Sequence, residues 1–245
     1  MLYWLLKTVV LGPVLKVLFR PWVEGEEHIP DAGGVIFASN HLSFSDSIFL
    51  PLVVPRKMTF LAKADYFTGT GLKGRLTKMF FTGVGQLPVD RSGGRASSAA
   101  LDAGLKVLRA GDILGLYPEG TRSPDGRLYK GKTGVARMAL AAQVPIVPVA
   151  MQNTTVIKKF GLPWIDHPVV VIGEPLDFSE YFDRGEDPRV LRWVTDEVMA
   201  AIQRLSGQTY VEAYGTSVKS GSLTKAQADA RILERPGINT KQPDA

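Results

Sequence analysis

The chain has 245 residues, 45% of them apolar and 22% charged, the composition of a folded protein long enough to bury a core. It has no cysteine, which excludes disulfides, a cysteine nucleophile and thiolate metal sites, and three scattered histidines, His28, His41 and His167, argue against a histidine-rich metal centre. Twenty-nine basic residues against 24 acidic ones give a net charge of +5, which suits phosphate groups, acidic lipid or nucleic acid without choosing among them.

The first twenty residues, MLYWLLKTVVLGPVLKVLFR, are unusually apolar. Lys7 and Lys16 interrupt the run and no A-x-A-like site follows, so it is not a secretory signal. A spanning helix wants roughly 20 apolar residues with few charges, and Gly12-Pro13 also breaks the run. The segment reads as one or two helical pieces lying in a bilayer interface. Tyr3, Trp4 and Phe19 would sit at headgroup level, while Lys7, Lys16 and Arg20 would reach water and anionic lipid. The competing reading is an N-terminal helix packed on the core.

Beyond Arg20, Pro21 to Gly25 leads into a short strand and Pro30 to Gly34 is a turn. Strands are expected at Val35–Ala38, Met58–Ala62, Ile113–Tyr117, Ile146–Val149 and Val169–Ile172. Helices are expected at Ile48–Val53, Leu72–Phe81, Ala96–Arg109, Thr133–Ala142 and Pro188–Leu205. The last opens on proline and carries the stripe Val190, Leu191, Val194, Val198, Ala201, Ile202 and Leu205. Strands alternating with helices make the fold α/β with a largely parallel mixed sheet flanked by helices. No repeat or internal linker appears. The expected organisation is an interfacial segment over 1–20, one domain over 21–214, and a loosely ordered polar tail over 215–245 with a short helix near Lys225 to Leu233.

Two stretches carry chemistry. In SNHLSFSDSIF, residues 39–49, His41 follows a buried strand and Asp46 stands near the next helix start. A carboxylate folded back onto the imidazole would fix its tautomer and leave the other nitrogen free to take a proton from an alcohol. The same residues also allow a plainer reading, in which Asp46 or Ser45 caps the helix and His41 only packs. A serine hydrolase fits less well: no G-x-S-x-G elbow is present, and Ser43 and Ser45 lie inside the His–Asp turn. The second stretch, YPEGTRS over 117–123, also follows a buried strand. Gly120 permits close backbone approach and Arg122 offers a planar fork for phosphate, with Arg127, Lys130, Lys132 and Arg137 continuing the basic run and the Thr133-Gly134 helix start beside them. A β-turn on a solvated basic face is the alternative.

In combination these residues resemble the glycerolipid acyltransferases of the lysophosphatidic acid type. Asn40-His41-x4-Asp46 matches that family's first motif, Gly85 to Arg91 resembles its second, Glu119 to Ser123 matches its third, and Val144 to Ala150 resembles its proline-containing fourth. Order and spacing agree over roughly residues 22 to 175. The second motif departs at Pro88, where the family usually has an aromatic residue.

The resemblance implies a single glycerolipid-acyltransferase-like domain with an apolar N-terminal anchor. It implies His41 as general base and Asp46 as its orienting partner. Arg91, Glu119, Gly120, Thr121 and Arg122 would shape the acceptor's phosphate site, with Arg122 a direct ligand and Glu119 holding the loop or its basic side chains. Lys63 would face the same site. The reaction would be sn-2 acylation of lysophosphatidic acid, with acyl-CoA or acyl-carrier protein as donor, no bound cofactor or metal, and no acyl-enzyme. Alternative acceptors are glycerol-3-phosphate, another lysophospholipid or a glycolipid, and a non-catalytic phospholipid-binding protein is a third reading. Membrane lipids are the expected partner, and the expected location is the cytoplasmic face of the cell membrane, monotopic or peripheral. Nucleic acid is not expected, because no aromatic–basic interleaving or known module appears.

Overall fold

The structure is a computed structural model that describes residues 2–89, 96–159 and 161–244. Seven strands form the main sheet: β1 (Trp22–Glu24), β2 (Val35–Ser39), β3 (Met58–Lys63), β4 (Gln86–Val89), β5 (Ile113–Leu116), β6 (Ile146–Gln152) and β7 (Val169–Ile172). Their order is β1-β7-β6-β2-β5-β3-β4, and every pair is parallel except the antiparallel β6–β7 pair. The class is therefore α/β with a largely parallel mixed sheet, as the alternating pattern implied.

Successive side chains on a strand point to opposite faces, and β2 divides its residues accordingly. Ile36 and Ala38 join one core, built with α4 (Ala96–Arg109), α5 (Gly134–Ala142) and α6 (Pro188–Ser206). Val35 and Phe37 join the other, built with α2 (Asp46–Val53) and with Leu15 and Phe19 of the N-terminal helix. Helix α6 forms where its sequence signals stand: the Asp187 carboxylate accepts from the Arg189 N–H at 2.8 Å, Pro188 opens the first turn and Gly207 closes the last in a left-handed conformation. Its residues Val190, Leu191, Val194, Val198, Ala201 and Ile202 are buried, each worth about 1.5–3 kcal/mol for the larger side chains.

The N-terminal helix α1 runs unbroken over Leu2–Phe19. Gly12-Pro13 does not break it, because a π-helical stretch over Leu5–Val10 takes up the extra residue and the Leu11 N–H donates to the Leu6 carbonyl. Gly12 is required there, since a Cβ would lie 1.7 Å from the Lys7 carbonyl oxygen. One face of α1 packs inward. The Met58 N–H donates to the Tyr3 hydroxyl at 3.3 Å, Phe19 packs on Phe49, and the Lys7 ammonium donates to the Val54 carbonyl. Tyr3 and Phe19 thus depart from the headgroup positions expected of them, and Lys7 from its expected place in water, whereas Trp4, Lys16 and Arg20 are exposed. Helix α3 (Gly71–Gly83) lies beside α1, with Gly83 against Leu2 and Leu6.

The segment expected as a loosely ordered tail is folded. Tyr210–Val211 pairs in parallel with Leu128–Tyr129 and antiparallel with Ile232–Leu233. Thr224 and Gln227 form a reciprocal capping box, and Leu223 and Ala228 are buried against Tyr129 and Val211. Polar composition hid this because a three-stranded patch needs few apolar residues of its own when it borrows the wall of the main domain.

Candidate active site

Strands β2 and β5 are parallel neighbours, with Ala38 opposite Leu116. The loops leaving their carboxyl ends therefore emerge side by side, the usual ligand position in an α/β sheet. His41 lies three residues past one register partner and Glu119 three past the other. The backbone closes the gap: the Ser123 N–H donates to the His41 carbonyl at 2.6 Å.

Within the first loop, His41 Nδ1 stands 2.8 Å from Asp46 Oδ2. The same oxygen accepts the Leu42 N–H at 2.7 Å and the Ser43 N–H at 2.8 Å. Asp46 therefore ties the loop to the imidazole. Neither Ser45 nor Asp46 caps α2 through its side chain. A buried carboxylate at Nδ1 puts the proton on that nitrogen and leaves Nε2 as the basic one. The His41 side chain is 16% exposed and Asp46 fully buried, so the imidazole can be reached while its partner stays dry. Asp46 Oδ1 is buried with no hydrogen-bond partner among the described residues.

The serines serve the loop's own structure. The Ser45 hydroxyl donates to the Thr154 carbonyl, and the Ser43 and Ser45 hydroxyls stand 3.1 Å apart. Asn40 is buried and fully bonded. Its side-chain oxygen accepts the Met151 N–H at 2.7 Å, and its amide donates to the Met151 carbonyl at 3.0 Å and to Gln208 Oε1 at 2.8 Å. Asn40 thus continues the β2–β6 pairing with a side chain and frees the backbone to turn toward His41.

Tyr117 had no role in the sequence reading, yet its ring stacks on His41 with centroids 3.8 Å apart and planes 9° from parallel. Phe60 also stacks on the Tyr117 ring, with centroids 5.5 Å apart, and the Tyr117 hydroxyl shares a hydrogen bond with Ser47 at 2.8 Å. Burial raises the Tyr117 hydroxyl well above an ordinary phenol, and the Asp46 charge adds to the rise.

Glu119 faces inward. Its Oε1 accepts the His41 N–H at 3.3 Å and its Oε2 the Tyr129 N–H at 3.0 Å. Burial pushes its carboxyl up to about 8, against the pull of those two donors, with the Asp46 charge adding to the rise. Glu119 therefore joins the His41 loop to the Tyr129 strand through backbone. Gly120 adopts φ +69°, and a Cβ there would lie 3.2 Å from Lys132 Nζ, so the Lys132 chain lies across it. Thr121 Oγ1 accepts from Lys219 Nζ at 2.8 Å. Arg122 is exposed beside them.

The structure thus brings together His41, Asp46, Glu119, Gly120, Thr121 and Arg122. Arg91 lies outside the described residues, as does the Lys63 side chain, whose backbone ends β3. Pro88 is exposed on β4, the last strand of the sheet, opposite Ala62. An edge strand is where a residue without an N–H fits a ladder. The downstream basic run is partly neutralised: Arg127 pairs with Asp125 and Asp229, Lys130 with Glu212, and Arg137 with Glu186. No metal-binding cluster of acidic or histidine side chains occurs among the described residues. Besides Tyr117, the sequence reading missed Lys219, because no local signal links it to a loop 98 residues away.

Beside the polar site lies an apolar cleft with about 580 Å³ of empty space, open mouth included, walled by α1, α2 and α3. Phe44, Ile48, Leu52 and Phe81 line it, and so does Ser47, the hydrogen-bond partner of Tyr117. The cleft thus ends one side chain from the ring that supports His41.

A family model described as Acyltransferase matches residues 20–152. The chain is 28% identical over 189 residues to the 1-acyl-sn-glycerol-3-phosphate acyltransferase of Borreliella burgdorferi, covering 75% of this chain and 72% of that one. It is 30% identical over 165 residues to the enzyme of that name from Bacillus subtilis, covering 65% of this chain and 75% of the relative. The crystal structure of the 1-acyl-sn-glycerophosphate (LPA) acyltransferase from Thermotoga maritima is similar with a TM-score of 0.57 and 25% identity, over 79% of this chain and 75% of the other.

Proposed function

The chain belongs to the acyltransferase family, and on that premise we propose that it transfers a fatty acyl group from an acyl thioester to the free sn-2 hydroxyl of lysophosphatidic acid, giving phosphatidic acid. One observation carries the reading: the His41–Asp46 pair is joined through Ser123 to the loop that presents Arg122.

An alcohol is a poor nucleophile at neutral pH because its proton is tightly held. His41 Nε2 takes that proton as the hydroxyl oxygen attacks the thioester carbonyl, a contribution on the order of 100- to 10,000-fold. Asp46 at Nδ1 stabilises the imidazolium that forms. The tetrahedral intermediate collapses with loss of the thiolate, which recovers its proton from His41, so no acyl-enzyme is needed. Acyl-CoA or acyl-carrier protein supplies the thioester. Arg122 and its cationic neighbours hold the acceptor's phosphate, converting a bimolecular encounter into a positioned one. The apolar cleft suits a fatty chain ending near His41.

The outer faces of α1 and α3 support a place at the cytoplasmic face of the cell membrane. Val9, Val14, Val17 and Leu18 on one helix and Leu72, Leu76 and Met79 on the other are exposed, with Lys16, Arg20, Arg75 and Lys78 among them. Apolar side chains in the acyl boundary with cations at the headgroups describe a monotopic or peripheral attachment.

The test is release of free thiol by the purified protein with lysophosphatidic acid and acyl-CoA, run beside glycerol-3-phosphate, other lysophospholipids and a glycolipid. Highest kcat/KM with lysophosphatidic acid, abolished by His41→Ala in a folded protein, is the expected result. A clear preference for another acceptor moves the substrate assignment. Lipid binding without turnover of any acyl thioester refutes the enzymatic reading.

A further inference from the structure

We propose that Lys219, which lies beyond the family match at 20–152, is a direct ligand of the acceptor's phosphate and selects a phosphomonoester over a phosphodiester. The proposal rests on the acceptor reading above and adds a residue from the C-terminal segment.

The placement is built rather than incidental. Lys130 N–H donates to the Ala213 carbonyl at 3.0 Å and Leu128 N–H to the Thr209 carbonyl at 3.0 Å, so the C-terminal strand runs along the chain that leaves the phosphate loop. The short helix Gly215–Lys219 then crosses Thr121: a Cβ at Gly215 would lie 3.3 Å from the Thr121 methyl and 3.5 Å from the Tyr129 ring. Lys219 Nζ reaches Thr121 Oγ1 at 2.8 Å. An ammonium has three donors, and one bond to a hydroxyl leaves two for a ligand.

The local charges call for an anion. Lys132 lies over Gly120, Lys219 is bonded to Thr121, and Arg122 follows in sequence. None of the three forms an ion pair among the described residues, whereas Arg127, Lys130 and Arg137 all do. Glu119 has both oxygens on backbone N–H groups and forms no ion pair with these three cations among the described residues. Burial and then the Arg122 charge lower the Lys219 pKa, with the Glu119 charge opposing them. A phosphomonoester carries about −1.5 to −2 charges at neutral pH. A phosphodiester carries one negative charge and buries one oxygen in its second ester. A third cation therefore favours the monoester.

The experiment compares wild type, Lys219→Met and Lys219→Arg with 1-oleoyl lysophosphatidic acid and 1-oleoyl lysophosphatidylglycerol as acceptors. In Lys219→Met the KM for lysophosphatidic acid is expected to rise roughly tenfold or more, the effect of one lost charged hydrogen bond, with kcat within about twofold. The KM for lysophosphatidylglycerol should change little, and Lys219→Arg should restore most of the loss. An unchanged KM overturns the proposal, and so does an equal fall in kcat on both acceptors. Equilibrium binding of lysophosphatidic acid to the same variants in a His41→Ala background needs no turnover. Weaker binding by Lys219→Met supports the ligand role even if acyl transfer fails, and equal binding refutes it. Absence of turnover in wild type counts against the acyltransfer reading alone.

Discussion

The ring of Tyr117 lies flat against the ring of His41, 3.8 Å between centroids. Asp46 fixes the imidazole along one axis and Tyr117 fixes its plane, so the ring is held from two directions by two separate chain segments. Tyr117→Leu is expected to lower kcat up to about tenfold, from the stacking energy alone. Tyr117→Phe keeps the stack and loses only the bond to Ser47, so it should stay near wild type. Initial rates of thiol release for the two variants separate the effects.

Asp46→Asn should lower kcat on the order of 100- to 10,000-fold. The amide keeps the shape and loses the charge that stabilises the imidazolium. It also presents fewer lone pairs to the Leu42 and Ser43 N–H groups, so the melting temperature should fall as well. Rates per folded molecule, set beside thermal melts, check both parts.

Asn40 precedes His41 in sequence and bonds to Met151 and Gln208. Asn40→Ala leaves the Met151 N–H and carbonyl unpaired in a buried place, at about 1–3 kcal/mol each. The expected outcome is a large loss of stability in denaturant unfolding, with activity per folded molecule reduced far less than in His41→Ala.

Glu119 makes stability depend on pH. Its folded pKa, about 8, lies above the ordinary 4.5, so between those values the folded state binds more protons than the unfolded one. Stability then falls as pH rises from about 5 toward 8, and the loss is complete above the folded value. Glu119→Gln removes the titration and should flatten that slope, although its NH2 group cannot accept from one of the two backbone donors and overall stability should drop. Denaturation midpoints across pH 5 to 9 for both proteins test the sign.

The exposed face of α1 can be altered without disturbing its packed face. Val9 is 64% exposed and Val17 73% exposed, so Val9→Glu with Val17→Glu should leave the fold intact. Loss of their burial in lipid should weaken liposome co-sedimentation by roughly tenfold or more. Removing residues 2–19 is a blunter test, because it also removes Tyr3 from Met58 and Phe19 from Phe49. Unchanged sedimentation of the double variant would place the lipid contact elsewhere.

Much of the fold was legible because its signals are local. Buried apolar runs marked β2, β3, β5, β6 and β7, and a 3.6-residue stripe with proline before and glycine after marked α6. Gly12-Pro13 misled, since a π turn in α1 absorbs what an α-helix cannot. The polar stretch after Gly215 misled too, since Leu223 and Ala228 find their burial on Tyr129, Val211 and Ala213, which stand outside that stretch.

By itself the sequence determined the chemistry available: a histidine five residues before an aspartate, a glycine and arginine after a strand, and a family membership that those motifs carry in order. Only the tertiary structure decided which groups meet. The parallel β2–β5 register sets His41 beside Glu119, stacking sets the Tyr117 ring against the imidazole, and the returning C-terminal strand carries Lys219 to Thr121. Contacts of that kind depend on chain segments 76 to 98 residues apart being brought within a few ångströms, and no local periodicity records where such segments come to rest.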